Sequence, residues 1–137
     1  MKKLQTWALG ATVLLMALLS GCTTQLETRT THLTSGTWQF QSLSNPDLDS
    51  DTRDFFNALL SLADFNYMED GTYLLTFADS TLDNANGTWR FNNDATQLIL
   101  DEGTDDETIN TIIDLSEQLL VFSYMDSLGT NELTYIQ

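Results

Sequence analysis

Between Gly36 and Ile136 the hydrophobic positions mostly recur at every second residue, the period of half-buried β-strands. Gly36-Thr37-Trp38-Gln39-Phe40-Gln41 sets the pattern, with Trp38 and Phe40 on one face and Gln39 and Gln41 on the other. Asn45-Pro46 breaks the chain, and the period then changes. Over residues 51–63, Phe55, Phe56, Leu59, Leu60 and Ala63 recur at three- and four-residue spacings. Ser50 or Asp51 is available as N-cap and acids fill the first turn, so one short helix is expected there. Alternation resumes at 65–68 and turns at Glu69-Asp70-Gly71, where Asp-Gly is a strong hairpin signal. It continues through 72–78, with Tyr73, Leu75 and Phe77 on one face, and then through 87–91, 97–101, 108–115, 119–125 and 132–136. Eight strands and one helix on short connections predict a mainly β fold, a small up-and-down antiparallel barrel or a curled sandwich.

One five-residue pattern occurs twice, Gly36-Thr37-Trp38-Gln39-Phe40 and Gly87-Thr88-Trp89-Arg90-Phe91, with Gly71-Thr72-Tyr73 as a weaker third copy. Glycine at a strand start allows close backbone approach, and the aromatic that follows can fill the interior.

The N-terminal segment has a different character. Met1-Lys2-Lys3 is a short cationic start, and Trp7 to Leu19 is uncharged. Spanning a membrane takes about 20 apolar residues, so this run is too short for a stable span. A charged start, a short apolar centre and small residues after it mark a secretory signal peptide, here residues 1–21. Leu19-Ser20-Gly21-Cys22 resembles the lipobox of bacterial lipoproteins. That resemblance implies acylation of Cys22 and cleavage just before it, which would consume the only cysteine. Stable attachment needs at least two acyl chains. The sorting rule of enteric-type bacteria places Asp after the cysteine for inner-membrane retention. Thr23 in that position implies the outer membrane, with the domain facing the periplasm. Residues 22–34 are rich in Thr and lack apolar periodicity, which predicts a flexible tether with an r.m.s. span of roughly 20 Å. The domain is expected over 35–137.

Charge narrows the function. The chain carries 5 basic and 20 acidic residues. Lys2 and Lys3 precede the expected cut, so Arg29, Arg53 and Arg90 against 20 carboxylates leave −17 on the mature chain. Nucleic acid is thereby excluded as a partner, and so is direct docking on anionic lipid, leaving the acyl chains as the membrane attachment. Asp47-Leu48-Asp49-Ser50-Asp51 spaces carboxylates like a calcium loop. An EF-hand starting there needs Gly sixth and Glu twelfth, and Thr52 and Ala58 occupy those positions. The acids read as solvated loops, with no metal set and no cofactor. His32, the only histidine, falls in the tether. The domain offers no Cys or His nucleophile system and no phosphate-cradling loop, so catalysis is not expected. With Cys22 acylated, no intrachain disulfide is possible and packing alone must hold the domain.

Gly36-x-Trp38, Asp70-Gly71-Thr72-Tyr73, Gly87-x-Trp89 and a closing series of hairpins resemble the lipocalin-like bacterial lipoproteins over roughly residues 33–137. In lipocalins the first-strand Trp packs at the closed end of the barrel beneath a late Arg. This chain has no Arg after Arg90, which beside Trp89 is the available substitute by stacking. The helix ahead of the second strand also departs from lipocalin order. The resemblance implies a cavity for a small apolar molecule, lined by Trp38, Phe40, Tyr73, Phe77, Trp89, Phe91, Phe122 and Tyr124. The leading expectation is therefore a lipid-anchored module that holds a small hydrophobic molecule. Eight-stranded barrels hold side chains or one small ligand, and the alternative is that the same bulky residues fill the interior. The protein would then be an interaction lipoprotein docking a basic envelope protein, as small lipoprotein inhibitors of lysozyme do.

Overall fold

The computed structural model describes residues 24–137; the predicted signal peptide, Cys22 and Thr23 lie outside the described residues. Eight antiparallel strands form a closed barrel in simple sequence order. They are β1 (Thr37–Ser44), β2 (Ala63–Tyr67), β3 (Thr72–Phe77), β4 (Ala85–Phe91), β5 (Gln97–Leu100), β6 (Thr108–Leu115), β7 (Leu119–Asp126) and β8 (Gly129–Ile136). Phe40↔Tyr135 and Leu43↔Leu133 close the barrel between β1 and β8. Closure leaves no free sheet edge.

The register fixes what lies at each end. Thr37↔Asn66, Tyr67↔Tyr73, Phe91↔Leu98 and Leu115↔Leu120 place four features together: the start of β1 and the β2–β3, β4–β5 and β6–β7 turns. Leu119↔Ile136 adds the end of β8 to the same end. The β1–β2, β3–β4, β5–β6 and β7–β8 connections form the other end.

A helix closes each end. Residues 24–34, expected as a flexible coil, are helical and form α1. Threonine is a poor helix former, but Thr28, Thr31 and Thr34 each donate to the carbonyl four residues earlier at 2.9–3.0 Å, which satisfies their hydroxyls inside the helix. What decides the segment is tertiary. Leu33 is fully buried in the barrel core, its carbonyl accepts from Trp38 Nε1 at 2.8 Å, and Arg29 Nη1 donates to the Ala95 carbonyl in the β4–β5 turn. One leucine and one arginine at i, i+4 make too short a stripe to stand out in the sequence.

The second helix, α2 (Ser50–Leu60), is shorter than the expected 51–63. Its N-cap is Asp49, whose carboxylate accepts from Thr52 N at 2.9 Å. Ala63, counted on the apolar helix face, instead opens β2 and pairs with Phe77. Sheet pairing outcompetes a last helical turn there. Leu48, Phe56 and Leu60 pack on the core from the α2 end, and Asn57 Oδ1 accepts from Leu43 N at 2.9 Å.

In β6 the inward positions are Asn110, buried and donating to the Leu98 carbonyl at 3.2 Å, and Ile112, while Ile109 and Ile113 are exposed. A bulge between Ile112 and Asp114 then resets the phase and brings Leu115 back to the core.

Because Leu33 belongs to the core, Leu33→Ala should cost about 3 kcal/mol by the usual cost of a buried leucine cavity. Urea denaturation of the soluble chain measures it, and a loss under about 1 kcal/mol would mean that α1 packs loosely.

Candidate functional site: the barrel interior and its two ends

The inward positions carry most of the aromatic residues, and their rings touch in one unbroken chain. Phe91 meets Trp89 at 5.5 Å between centroids and Trp89 meets Tyr67 at 6.0 Å. Tyr67 continues to Phe65 and Tyr73 at 5.6 and 6.3 Å. Phe65 reaches Tyr135 at 5.8 Å, and Tyr135 contacts Phe40 and Phe122 at 5.8 and 5.7 Å. Of the eight residues expected to line a cavity, Phe40, Tyr73, Trp89, Phe91 and Phe122 are thus links in a packed chain. Trp38 is fully buried beneath α1. Phe77 and Tyr124 are half-buried where β3 and β7 approach the α2 end. Phe65, Tyr67 and Tyr135 are the central links missing from the expected set. Their alternating positions were visible in the sequence, but their neighbours across the barrel were not.

Burial pushes the phenols of all four tyrosines up from the ordinary 10.0. Tyr73 is additionally raised because its hydroxyl donates to Asp101 Oδ2 at 2.6 Å. Asp101 reaches that hydroxyl by adopting a left-handed conformation (φ 51°) and folding its carboxylate over Gly87. Its Oδ1 also accepts from Thr88 N at 2.9 Å. A Cβ on Gly87 would stand 2.0 Å from that oxygen, which is why the second Gly-x-Trp needs its glycine.

Arg90 does not stack over Trp89. Its guanidinium pairs with Glu102 on the outside of the barrel, and Trp89 Nε1 donates to the Met68 carbonyl at 2.9 Å. The role expected of an arginine at the Trp38 end belongs to α1 as a whole. Two open clefts flank α1. One, of about 350 Å³, is bounded by Thr31, His32, Ser35, Glu117, Gln118 and Gln137. The other, of about 560 Å³, is bounded by Thr24, Gln25, Thr28, Arg29, His32 and Leu115. His32 therefore sits between helix and β6–β7 turn, with its Nδ1 buried and unpartnered. Both clefts lie outside the ring chain.

The α2 end gathers the charge. Asp47, Asp49, Asp51 and Asp54 lie in and before α2, Asp79 and Asp83 between β3 and β4, five acids in 101–107, and Asp126 in the β7–β8 turn. That is twelve of the twenty carboxylates. Several also build the loops they occupy. The Thr81 N–H and hydroxyl bond Asp79 at 2.8 and 2.7 Å. Asp70 with Thr72 and Asp94 with Thr96 repeat the device at the α1 end. These donors hold Asp49, Asp70, Asp79 and Asp94 below the usual carboxylate range, so they stay ionised. Among the carboxylates of the α2 end stand exposed apolar side chains: Phe55 (63% exposed), Met125 (79%) and Leu128 (47%). Among the described residues no group of three or more His, Cys, Asp or Glu is placed to hold a metal ion.

The chain matches no protein-family model and no curated protein.

Two measurements probe the interior. Gly87→Ala should displace the Asp101 carboxylate and cost about 2–4 kcal/mol through the two lost hydrogen bonds and the strain. Full stability in this variant would show that Asp101 relocates freely. A phenol whose folded-state pKa exceeds its unfolded value binds its proton more tightly when folded. Its contribution to stability is therefore intact below pH 10 and falls as pH rises above it. Absorbance at 295 nm should show little ionisation near pH 10 and then a cooperative step coincident with loss of the near-ultraviolet circular dichroism. A gradual titration centred at pH 10 would mean that the rings are solvated.

Proposed function

We propose that this protein is a lipid-anchored bacterial envelope lipoprotein whose filled, lipocalin-like barrel docks a basic partner through the acidic α2 end. The observation that carries the choice of partner is the unbroken chain of eight rings inside the barrel. A small apolar molecule would have to part those rings and forfeit their mutual contacts, so the small-ligand reading is the less favoured one.

The anchor half of the reading rests on Leu19-Ser20-Gly21-Cys22 at the end of the apolar run, and Thr23 favours the outer membrane with the domain facing the periplasm. The partner half is supported by chemistry at the α2 end. Fixed carboxylates beside exposed Phe55, Met125 and Leu128 suit a cationic surface that also offers apolar contacts. Charge then supplies approach and selectivity, and the apolar side chains supply the desolvated contact.

Native mass spectrometry of the protein purified from bacterial envelopes should give the mass of the lipidated chain alone. Lysozyme, used as a basic probe, should bind in low salt and weaken roughly tenfold or more between 0.05 and 0.3 M as screening shortens the range of the field. Asp51→Asn combined with Asp54→Asn, Asp105→Asn and Asp106→Asn should weaken it further. A co-purifying hydrophobic molecule, or probe binding indifferent to salt and to these substitutions, would overturn the reading.

A further inference from the structure

We propose that α1 is a strut rather than a tether, fixing the anchored barrel with its α1 end against the lipid surface and its acidic α2 end directed away. The inference rests on the lipid-anchored reading above and adds the orientation in which the partner surface is presented.

The first described helical residue, 24, follows Cys22 by two positions, and two residues reach at most about 7 Å. The acylated backbone is therefore confined near the start of α1. From there no free joint leads to the barrel. Arg29 is bonded to the β4–β5 turn, and Leu33 is buried in the core with its carbonyl held by Trp38. Only Ser35 and Gly36 separate α1 from β1, and both lie against the Gln137 side chain. The Ser35 hydroxyl bonds the Gln137 carboxamide at 3.0 Å, and a Cβ on Gly36 would meet the same group at 3.1 Å. The helix also lies along the barrel rim, because Thr24, Gln25 and Thr28 border one cleft with Leu115 at the end of β6. Anchor and rim are thus held at one end.

Charge favours the same pose. The acyl-proximal end carries Glu27, Glu69, Asp70, Asp94, Asp114 and Glu117, against twelve carboxylates at the other. An anionic leaflet repels the α2 end more strongly, and the repulsion fades over about 10 Å at 0.1 M salt. Eight-residue strands rise about 26 Å along their length, so an upright barrel carries its acidic end beyond that range.

The test uses full-length lipidated protein in phosphatidylethanolamine–phosphatidylglycerol vesicles doped with a headgroup-attached quencher. A fluorophore is placed through Asn93→Cys in the β4–β5 turn or Ser127→Cys in the β7–β8 turn. Asn93 is expected to be quenched at least threefold more than Ser127. Equal quenching, or stronger quenching at Ser127, overturns the proposal. Ten Gly/Ser residues inserted between Thr23 and Thr24 give a coil of roughly 17 Å r.m.s. span, and they should equalise the two labels while the protein still floats with vesicles. If the inserted protein keeps the original ratio, α1 is not the strut. Failure of the labelled protein to float at all, with the Cys22 thiol open to labelling in the wild-type chain, would instead remove the anchor on which the proposal rests.

Discussion

The rest of the structure depends on packing a closed eight-stranded tube with aromatic rings. Closure satisfies every strand's backbone partners but creates an interior that must be filled from within. Tyr135 shows how the chain does this. On β8 it pairs with Phe40 of β1 across the closing seam, and its ring also meets Phe65 of β2 and Phe122 of β7. One side chain therefore couples the first, second, seventh and last strands. Each such ring pair is worth about 0.5–1.5 kcal/mol beyond simple burial. With the only cysteine outside the domain, this packing has no disulfide to support it.

Filling the tube leaves its ends, and the two helices meet that need differently. α1 inserts Leu33 completely and takes the Trp38 N–H, so its end is sealed by both packing and hydrogen bonding. α2 has no fully buried residue and covers its end with the half-buried Phe56 and Leu60. Nearby, the buried Asn45 donates to Asn131 Oδ1 at 2.8 Å and to the Leu128 carbonyl at 3.2 Å. Those bonds pin the approach to α2 against the β7–β8 turn. The turn in turn needs Gly129, whose φ is 110° and whose Cβ position is crowded by Asp47. Negative charge at this end is thus built into the loop geometry, because the acids are also caps and turn formers.

Much of this was legible in the sequence. Period-two alternation located all eight strands, and Asp70-Gly71 located a hairpin whose glycine has φ 84°. A barrel could not be told from a sandwich because the distinction lies in a single pairing, β1 with β8, which carries no local signature. α1 carries little local signal, because its threonines disfavour a helix and the side chains that dock it, Leu33 and Arg29 foremost, form no long apolar stripe. The end of α2 has no local marker because Ala63 satisfies both periods, and the choice is made by its partner Phe77. Inward residues were identified as lining, but whether they enclose a void depends on ring orientations across strands distant in sequence. The Asp101–Gly87–Tyr73 arrangement had one visible trace, the glycine before Trp89.

On the proposed reading a filled barrel shifts the weight of function onto its surface, and a surface acts only as it is presented. On the lipid-anchored reading, a coil of twelve residues would let the domain roam roughly 20 Å and turn its acidic end toward the bilayer. There each charge would face the repulsion of anionic headgroups, and the same field would attract basic partners to the lipid in competition. Docking the segment as a helix costs the backbone entropy of eleven residues. That cost is offset locally by the burial of Leu33 and the bonds of Arg29 and Trp38. On that reading the interactions that seal the core are the same ones that set the direction of the acidic face, and weakening the first would loosen the second.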